Sequence, residues 1–103
     1  MALLREGRVW SMRRREQRKD VTRWFRLHDE IEELMRKAKA ILNRVDAEEY
    51  FNWVWVNMLY HELRVLLNDL NSYSPYDEID YTEFTTRLAR IRKELETIEK
   101  RLR

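Results

Sequence analysis

The chain has 103 residues, of which 44% are hydrophobic and 39% charged, and its formal net charge is +2. This length supports one folded core, and the composition excludes an intrinsically disordered chain. The absence of cysteine excludes disulfides and thiolate metal sites. No apolar run is long enough for a signal peptide or a membrane span, so we expect a protein that is not secreted and does not insert into membranes.

The charges are divided unevenly along the chain. Residues 1–28 contain nine Lys/Arg and three Asp/Glu, a net charge of +6, whereas residues 29–103 contain twelve and sixteen, a net charge of −4. A local positive field attracts polyanions even when the whole molecule is close to neutral. We therefore divide the chain into a basic N-terminal arm, residues 1–20, and a helical bundle, residues 21–103.

The first predicted helix covers about residues 11–44, with Ser11 as its N-cap. Its apolar residues step by threes and fours, which keeps them on one helix face. This stripe consists of Trp24, Leu27, Ile31, Leu34, Ala38, Ile41 and Val45. The basic residues from Met12 to Asp20 surround the helix axis and have no apolar stripe. Since buried unpaired charges are costly, we expect about ten residues of this helix to extend beyond the bundle.

The second predicted helix covers about residues 46–71, and Asp46 with Glu49 resembles a capping box at its start. No glycine or proline enforces a break before it, so one continuous helix from residue 11 to residue 70 is the alternative. Residues 50–70 are apolar at fourteen of twenty-one positions, which predicts contact with two neighbours. The predicted core face consists of Trp53, Trp55, Val56, Leu59, Tyr60, Leu63, Leu66, Leu67 and Leu70.

A smaller apolar patch occupies another side of this second helix. It consists of Phe51, Val54, Met58 and Val65, and we call it the apolar patch. Exposed apolar surfaces often mark association sites, so these four residues are the predicted oligomer interface. The alternative is that long neighbouring side chains partly cover them.

The third predicted helix follows the only strong turn signal, with Ser74 as its cap and Pro75 at its first position. A heptad repeat then predicts a coiled-coil seam. This seam consists of Tyr81, Phe84, Leu88, Ile91, Leu95, Ile98 and Leu102. The predicted fold class is all-α, an antiparallel bundle of three long helices with a basic N-terminal helical arm.

No catalytic residue, metal ion or cofactor is predicted. Arg23 and His28 have a spacing that resembles the active motif of HEPN ribonucleases, but here the motif lies on an early helix and an aromatic residue follows the arginine. His61 does not begin an HExxH motif, because Val65 stands where the second histidine is needed. The carboxylates between residues 77 and 83 lack the glycine and the spacing of an EF-hand, and the start of a helix explains them.

Nucleic-acid phosphates, an anionic membrane or an acidic protein surface could each satisfy the basic segment. A membrane surface would favour a continuous apolar face opposite the basic one, which is missing here. Phosphates are favoured because arginine offers planar bidentate donors, and residues 1–28 use eight Arg and one Lys. The predicted nucleic-acid-binding residues are Arg5, Arg8, Arg13, Arg14, Arg15, Arg18, Lys19, Arg23 and Arg26.

A basic helical arm on a compact, cysteine-free bundle of long helices resembles the coat (nucleocapsid) proteins of filamentous and rod-shaped archaeal DNA viruses. The resemblance is one of layout over the whole chain. It implies a virion protein whose paired subunits, identical or paralogous, wrap double-stranded DNA with their arms. Heavy use of Arg and Glu with one glycine and one proline also fits a thermophile. The alternative is a cytoplasmic helical interaction subunit, resembling the small subunits of CRISPR effectors.

Overall fold

The computed structural model describes residues 2–102, and describes side chains from residue 21 to residue 102 except that of Ala47. Over that range all regular secondary structure is helical, and there is no strand. Three long helices follow one another: α1 spans Ala2–Arg44, α2 spans Tyr50–Asn71 and α3 spans Tyr81–Arg101. A short 3₁₀ turn at Ala47–Glu49 precedes α2. The predicted all-α class and the number of helices are confirmed.

The α1 helix begins earlier than predicted. It starts at Ala2 and continues through Ser11, so the prediction of Ser11 as an N-cap is wrong. The single glycine, Gly7, is the only weak helix former of note in this stretch. One such residue costs about 1 kcal/mol, which is too little to end a long helix. The predicted end of the helix at residue 44 is confirmed.

The break between α1 and α2 is real, so the alternative of one continuous helix is wrong. Asp46 has an extended backbone, with φ −76° and ψ 159°. The predicted capping box is also wrong, because neither Asp46 nor Glu49 caps a helix with its side chain. The Glu49 backbone N–H instead donates to the Asp46 carbonyl at 2.9 Å in the 3₁₀ turn, which delays α2 to Tyr50.

The start of α3 is also later than predicted. The helix begins after Asp80, whose carboxylate accepts the backbone N–H two residues further on at 3.1 Å. Ser74 lies in a separate turn, where its backbone N–H donates to the Asp77 carboxylate at 2.7 Å. The predictions of Ser74 as the cap and Pro75 as the first helical residue are therefore wrong, since a stronger capping site follows them in the chain.

One hydrophobic core joins the three helices. The buried residues are Trp24, Leu27, Ile31, Leu34, Ala38 and Ile41 of α1, Val56, Leu59, Leu63, Leu66 and Leu70 of α2, and Tyr81, Phe84, Leu88, Ile91, Leu95 and Ile98 of α3. Val45, Trp55, Tyr60, Leu67 and Leu102 are partly buried against them. Trp53 is the error in the predicted core, because it remains 43% exposed. The apolar surface of α2 is wider than its two neighbours can cover.

Two contacts of α1 side chains connect this helix to α2, one with the backbone of α2 and one with a side chain. The Trp24 indole N–H donates to the Leu70 carbonyl at 3.2 Å. The Lys39 ammonium lies 5.9 Å from the centroid of the Tyr60 ring. Within the described residues, none of the helices is long and apolar enough to span a membrane.

The third helix is connected to both others by ion pairs. The Glu30 carboxylate of α1 lies 3.8 Å from the Arg92 guanidinium of α3. The Lys37 ammonium of α1 lies 3.7 Å from the Glu99 carboxylate of α3. Arg90 of α3 pairs with Glu62 of α2 and with Glu94 on its own helix. These partners are at least partly exposed, so each pair adds little to stability and the buried apolar residues dominate.

Candidate functional site

Arg23 and Arg26 are the two predicted nucleic-acid-binding residues whose side chains are described, and both are exposed on α1. The Arg23 guanidinium lies 5.2 Å from the centroid of the Tyr81 ring, which is a cation–π contact. Stacking on a ring uses the face of the guanidinium and leaves N–H groups at its edge available to an anion. Among the described side chains, no carboxylate forms an ion pair with Arg23, so its contact is with the ring of Tyr81.

A shallow groove of about 110 Å³ runs between α1 and α3 beside these two arginines. Glu30 is its acidic lining residue, and its carboxylate lies 3.8 Å from the Arg92 guanidinium of α3. No ion pair links Glu30 to Arg23 or Arg26 in the described part of the chain. Both guanidiniums can consequently meet an anion that approaches this edge of the bundle.

The other seven predicted nucleic-acid-binding residues lie outside the described side chains. They are Arg5, Arg8, Arg13, Arg14, Arg15, Arg18 and Lys19. Their role stays a prediction from the sequence. Among the side chains that the structure describes, Trp24 is the first buried one of α1, and the predicted basic segment precedes it in the same helix.

The apolar patch lies on the surface of α2, as the sequence indicated. Phe51 is 87% exposed, Met58 65% and Val65 41%, while Val54 is half-buried. Their spacing places all four on one face of the helix. Val54 is the patch residue that neighbouring side chains cover most, so Phe51, Met58 and Val65 offer apolar surface to a partner.

Two exposed aromatic residues lie next to the apolar patch, and the sequence analysis did not predict either of them at the surface. Tyr50 is 65% exposed, and its ring centroid lies 6.3 Å from that of Phe51. Trp53 is exposed although it was predicted in the core. The sequence signal for Tyr50 is that it lies seven residues before Asn57 and fourteen before Arg64, which belong to the polar face of α2. This spacing assigns Tyr50 to the solvent side.

The arginine–histidine motif does not form a joint site. Arg23 contacts Tyr81, whereas the His28 ring stacks on Trp24 with centroids 5.3 Å apart. His28 Nδ1 also lies 3.2 Å from a carboxylate oxygen of Glu32. Residues five apart on an α-helix point about 140° away from each other. Packing on the indole and pairing with the carboxylate therefore account for His28 without a reaction.

A cleft of about 340 Å³ lies where α2, the following turn and α3 meet, and its lining includes several carboxylates. Asp80 caps α3, and Glu83 lies 3.0 Å from Arg87 one turn further on. In the described residues, no cluster of three or more His, Asp or Glu side chains has the arrangement of a metal site. The interpretation of these acids as residues of a helix start is therefore confirmed for Asp80 and Glu83, whereas Asp77 belongs to the preceding turn and Glu78 lies before the helix.

Comparison with protein-family models, with curated proteins and with solved structures finds no match to this chain.

Proposed function

We propose that this protein is a non-enzymatic structural protein that binds nucleic acid without sequence preference. Its preferred ligand is double-stranded DNA, which it packages as a coat or nucleocapsid subunit of a virion. The observation that carries this proposal is the segregation of charge, +6 over residues 1–28 against −4 over residues 29–103. Phosphate contacts hold the backbone of a duplex without reading its bases, so such a segment favours packaging.

We further infer that α1 and α2 are antiparallel. Trp24 near the start of the described side chains contacts Leu70 near the end of α2, whereas Lys39 contacts Tyr60. Residue numbers therefore decrease along α2 as they increase along α1. In this arrangement the basic arm leaves the bundle at the end where α2 finishes.

The same reasoning indicates that α3 is parallel to α1. Glu30 pairs with Arg92, and Lys37 pairs with Glu99, so residue numbers increase together along the two helices. The α3 helix begins close to Arg23, because the ring of Tyr81 lies under that guanidinium. Arg23 and Arg26 would then continue the basic surface of the arm onto the edge of the bundle.

The proposed mechanism is electrostatic and cooperative. Each copy neutralises several phosphates and releases their condensed counterions, which favours binding at low salt. Helix-to-helix contacts between neighbouring copies along the duplex make the binding cooperative. Arginine suits this task because one guanidinium can donate two parallel hydrogen bonds to a phosphate.

A titration of a fluorescent random-sequence duplex at several salt concentrations tests this proposal. We expect binding whose logarithmic salt slope, roughly −0.9 per neutralised phosphate, indicates several contacts. Deleting residues 1–20 should abolish most of this binding and leave the helical circular-dichroism spectrum of the bundle intact. Unchanged DNA binding by the truncated protein would contradict the role of the arm.

A matched pair of charge variants separates a local phosphate contact from the effect of net charge. The first replaces Arg13, Arg14 and Arg18 by glutamine, and the second replaces Arg36, Lys93 and Lys100, which are exposed on the bundle. Both remove the same charge. The arm variant should make the salt slope less steep by up to about 2.7, whereas the bundle variant should leave it nearly unchanged. Equal losses would mean that only net charge matters.

The second candidate function is that of an interaction subunit in a larger complex. The observation in its favour is the exposed apolar patch, where Phe51 is 87% exposed. An adaptor of this kind should not bind DNA by itself. Absence of binding to any duplex at low salt would therefore favour the adaptor over the packaging protein.

A further inference from the structure

The exposed face of α2 continues beyond the apolar patch as a heptad pattern. We call this face the α2 seam, and it consists of Phe51, Val54, Met58, His61, Val65 and Asn68. Phe51, Met58 and Val65 occupy one heptad position. Val54, His61 and Asn68 occupy the other position that faces a partner helix. His61 and Asn68 are exposed as well. The seam contains no residue with a permanent charge, as is typical of the centre of an interface.

The size of this surface fits a second copy of the chain. The exposed parts of Tyr50, Phe51, Met58 and Val65 amount to roughly 500 Å² per copy, given about 150–250 Å² for a whole aromatic side chain. Flanking polar residues bring each side close to the roughly 600–1,000 Å² that a standard interface buries per partner. Two equal faces of this kind meet the requirement of a two-fold symmetric dimer, in which the same patch serves both copies.

We propose that two copies of this protein pair through the α2 seam with their α2 helices parallel. Each apolar seam residue then faces its own equivalent, as in a parallel two-stranded coiled coil. This inference deepens the proposed function by naming the partner of the apolar patch. It involves no nucleic acid, so it can fail while DNA binding stands, and the reverse also holds.

The charges beside the seam favour the parallel orientation. Arg64 lies on one side of the seam and Asp69 on the other, five residues further along. In parallel paired helices, flanking residues five apart on the two copies lie next to each other. Neither side chain has an ion-pair partner in the described structure. Arg64 of each copy would therefore meet Asp69 of the other. In the antiparallel register that buries the whole seam, Asp69 would instead approach the acidic Glu48 and Glu49 of the second copy.

The absence of cysteine from the chain makes orientation directly measurable. The full-length protein carrying Val65→Cys should be a dimer by sedimentation without nucleic acid, and oxidation should convert it to a covalent dimer. In the antiparallel register the two introduced cysteines would be about 16 Å apart along the helices, beyond the roughly 7 Å limit for a disulfide. Glu96→Cys on the exposed surface of α3 is the control and should remain uncrosslinked.

A charge exchange tests the same geometry without cysteine. Arg64→Glu should weaken the dimer about threefold to thirtyfold, because two exposed ion pairs are lost and like charges replace them. The double variant Arg64→Glu with Asp69→Arg should restore the affinity. A monomer at every concentration would overturn the proposal. A dimer that Val65→Cys does not crosslink, or that the double variant does not restore, would overturn the parallel orientation.

Discussion

Two tryptophan-to-alanine variants measure how the core is anchored. Trp24 is 9% exposed and donates to the Leu70 carbonyl, whereas Trp53 is 43% exposed. The difference is about a third of a side chain of about 250 Å², or about 85 Å². At about 25 cal/mol per Å² this corresponds to about 2 kcal/mol. Since a buried hydrogen bond adds about 1 kcal/mol, Trp24→Ala should cost about 3 kcal/mol more free energy of unfolding than Trp53→Ala.

Denaturant unfolding followed by far-ultraviolet circular dichroism is the suitable assay, because it detects helix in both variants and does not depend on tryptophan. Trp24→Phe separates packing from the hydrogen bond and should lose about 1 kcal/mol. The loss stays small because the Leu70 carbonyl also accepts the Tyr73 N–H at 3.1 Å and is not left unpaired. Equal losses in the two alanine variants would refute the assignment of Trp24 as the anchor between α1 and α2.

Two further substitutions test local interactions by the same unfolding assay. Asp80→Ala should lower the free energy of unfolding by about 1 kcal/mol because it removes a side-chain cap. Asp46→Ala should change it by less than about 0.5 kcal/mol because Asp46 makes no such cap, and equal losses would contradict this distinction. Arg90→Ala should cost about 1 kcal/mol or less, with a loss that shrinks at high salt, since it frees Glu62 and Glu94 on a partly exposed surface. A loss independent of salt would indicate that Arg90 acts by packing.

The sequence predicted the stripes of α1 and α3 well because a strict apolar period leaves one choice of buried face. Ile31 and Ile91, for example, belong to such stripes and are fully buried. The α2 helix is apolar at most positions, so its period does not separate the core from the surface. Trp53 was assigned to the core for that reason, although no neighbour covers it fully.

The ends of the helices were harder to predict because several local signals compete. Ser74 and Pro75 form a good helix start in isolation, yet the hydrogen bond to Asp77 keeps Ser74 in a turn and Asp80 caps the helix instead. Such choices depend on which arrangement lets the following apolar residues reach the core. Only part of the candidate site could be predicted from the sequence. The surface location of the apolar patch was predictable, whereas the contact of Arg23 with Tyr81 was not.

The positions of the tryptophans have a spectroscopic consequence. The Trp55 indole N–H donates to the Glu94 carboxylate at 3.3 Å, and Arg101 lies 5.4 Å from the centroid of the ring. Its emission therefore responds to the distance between α2 and α3, while that of Trp24 responds to the distance between α1 and α2. A variant with Trp24 as its sole tryptophan would report the separation of α1 from α2. A variant with Trp55 as its sole tryptophan would report the separation of α3 from α2, so the two movements would give independent optical signals.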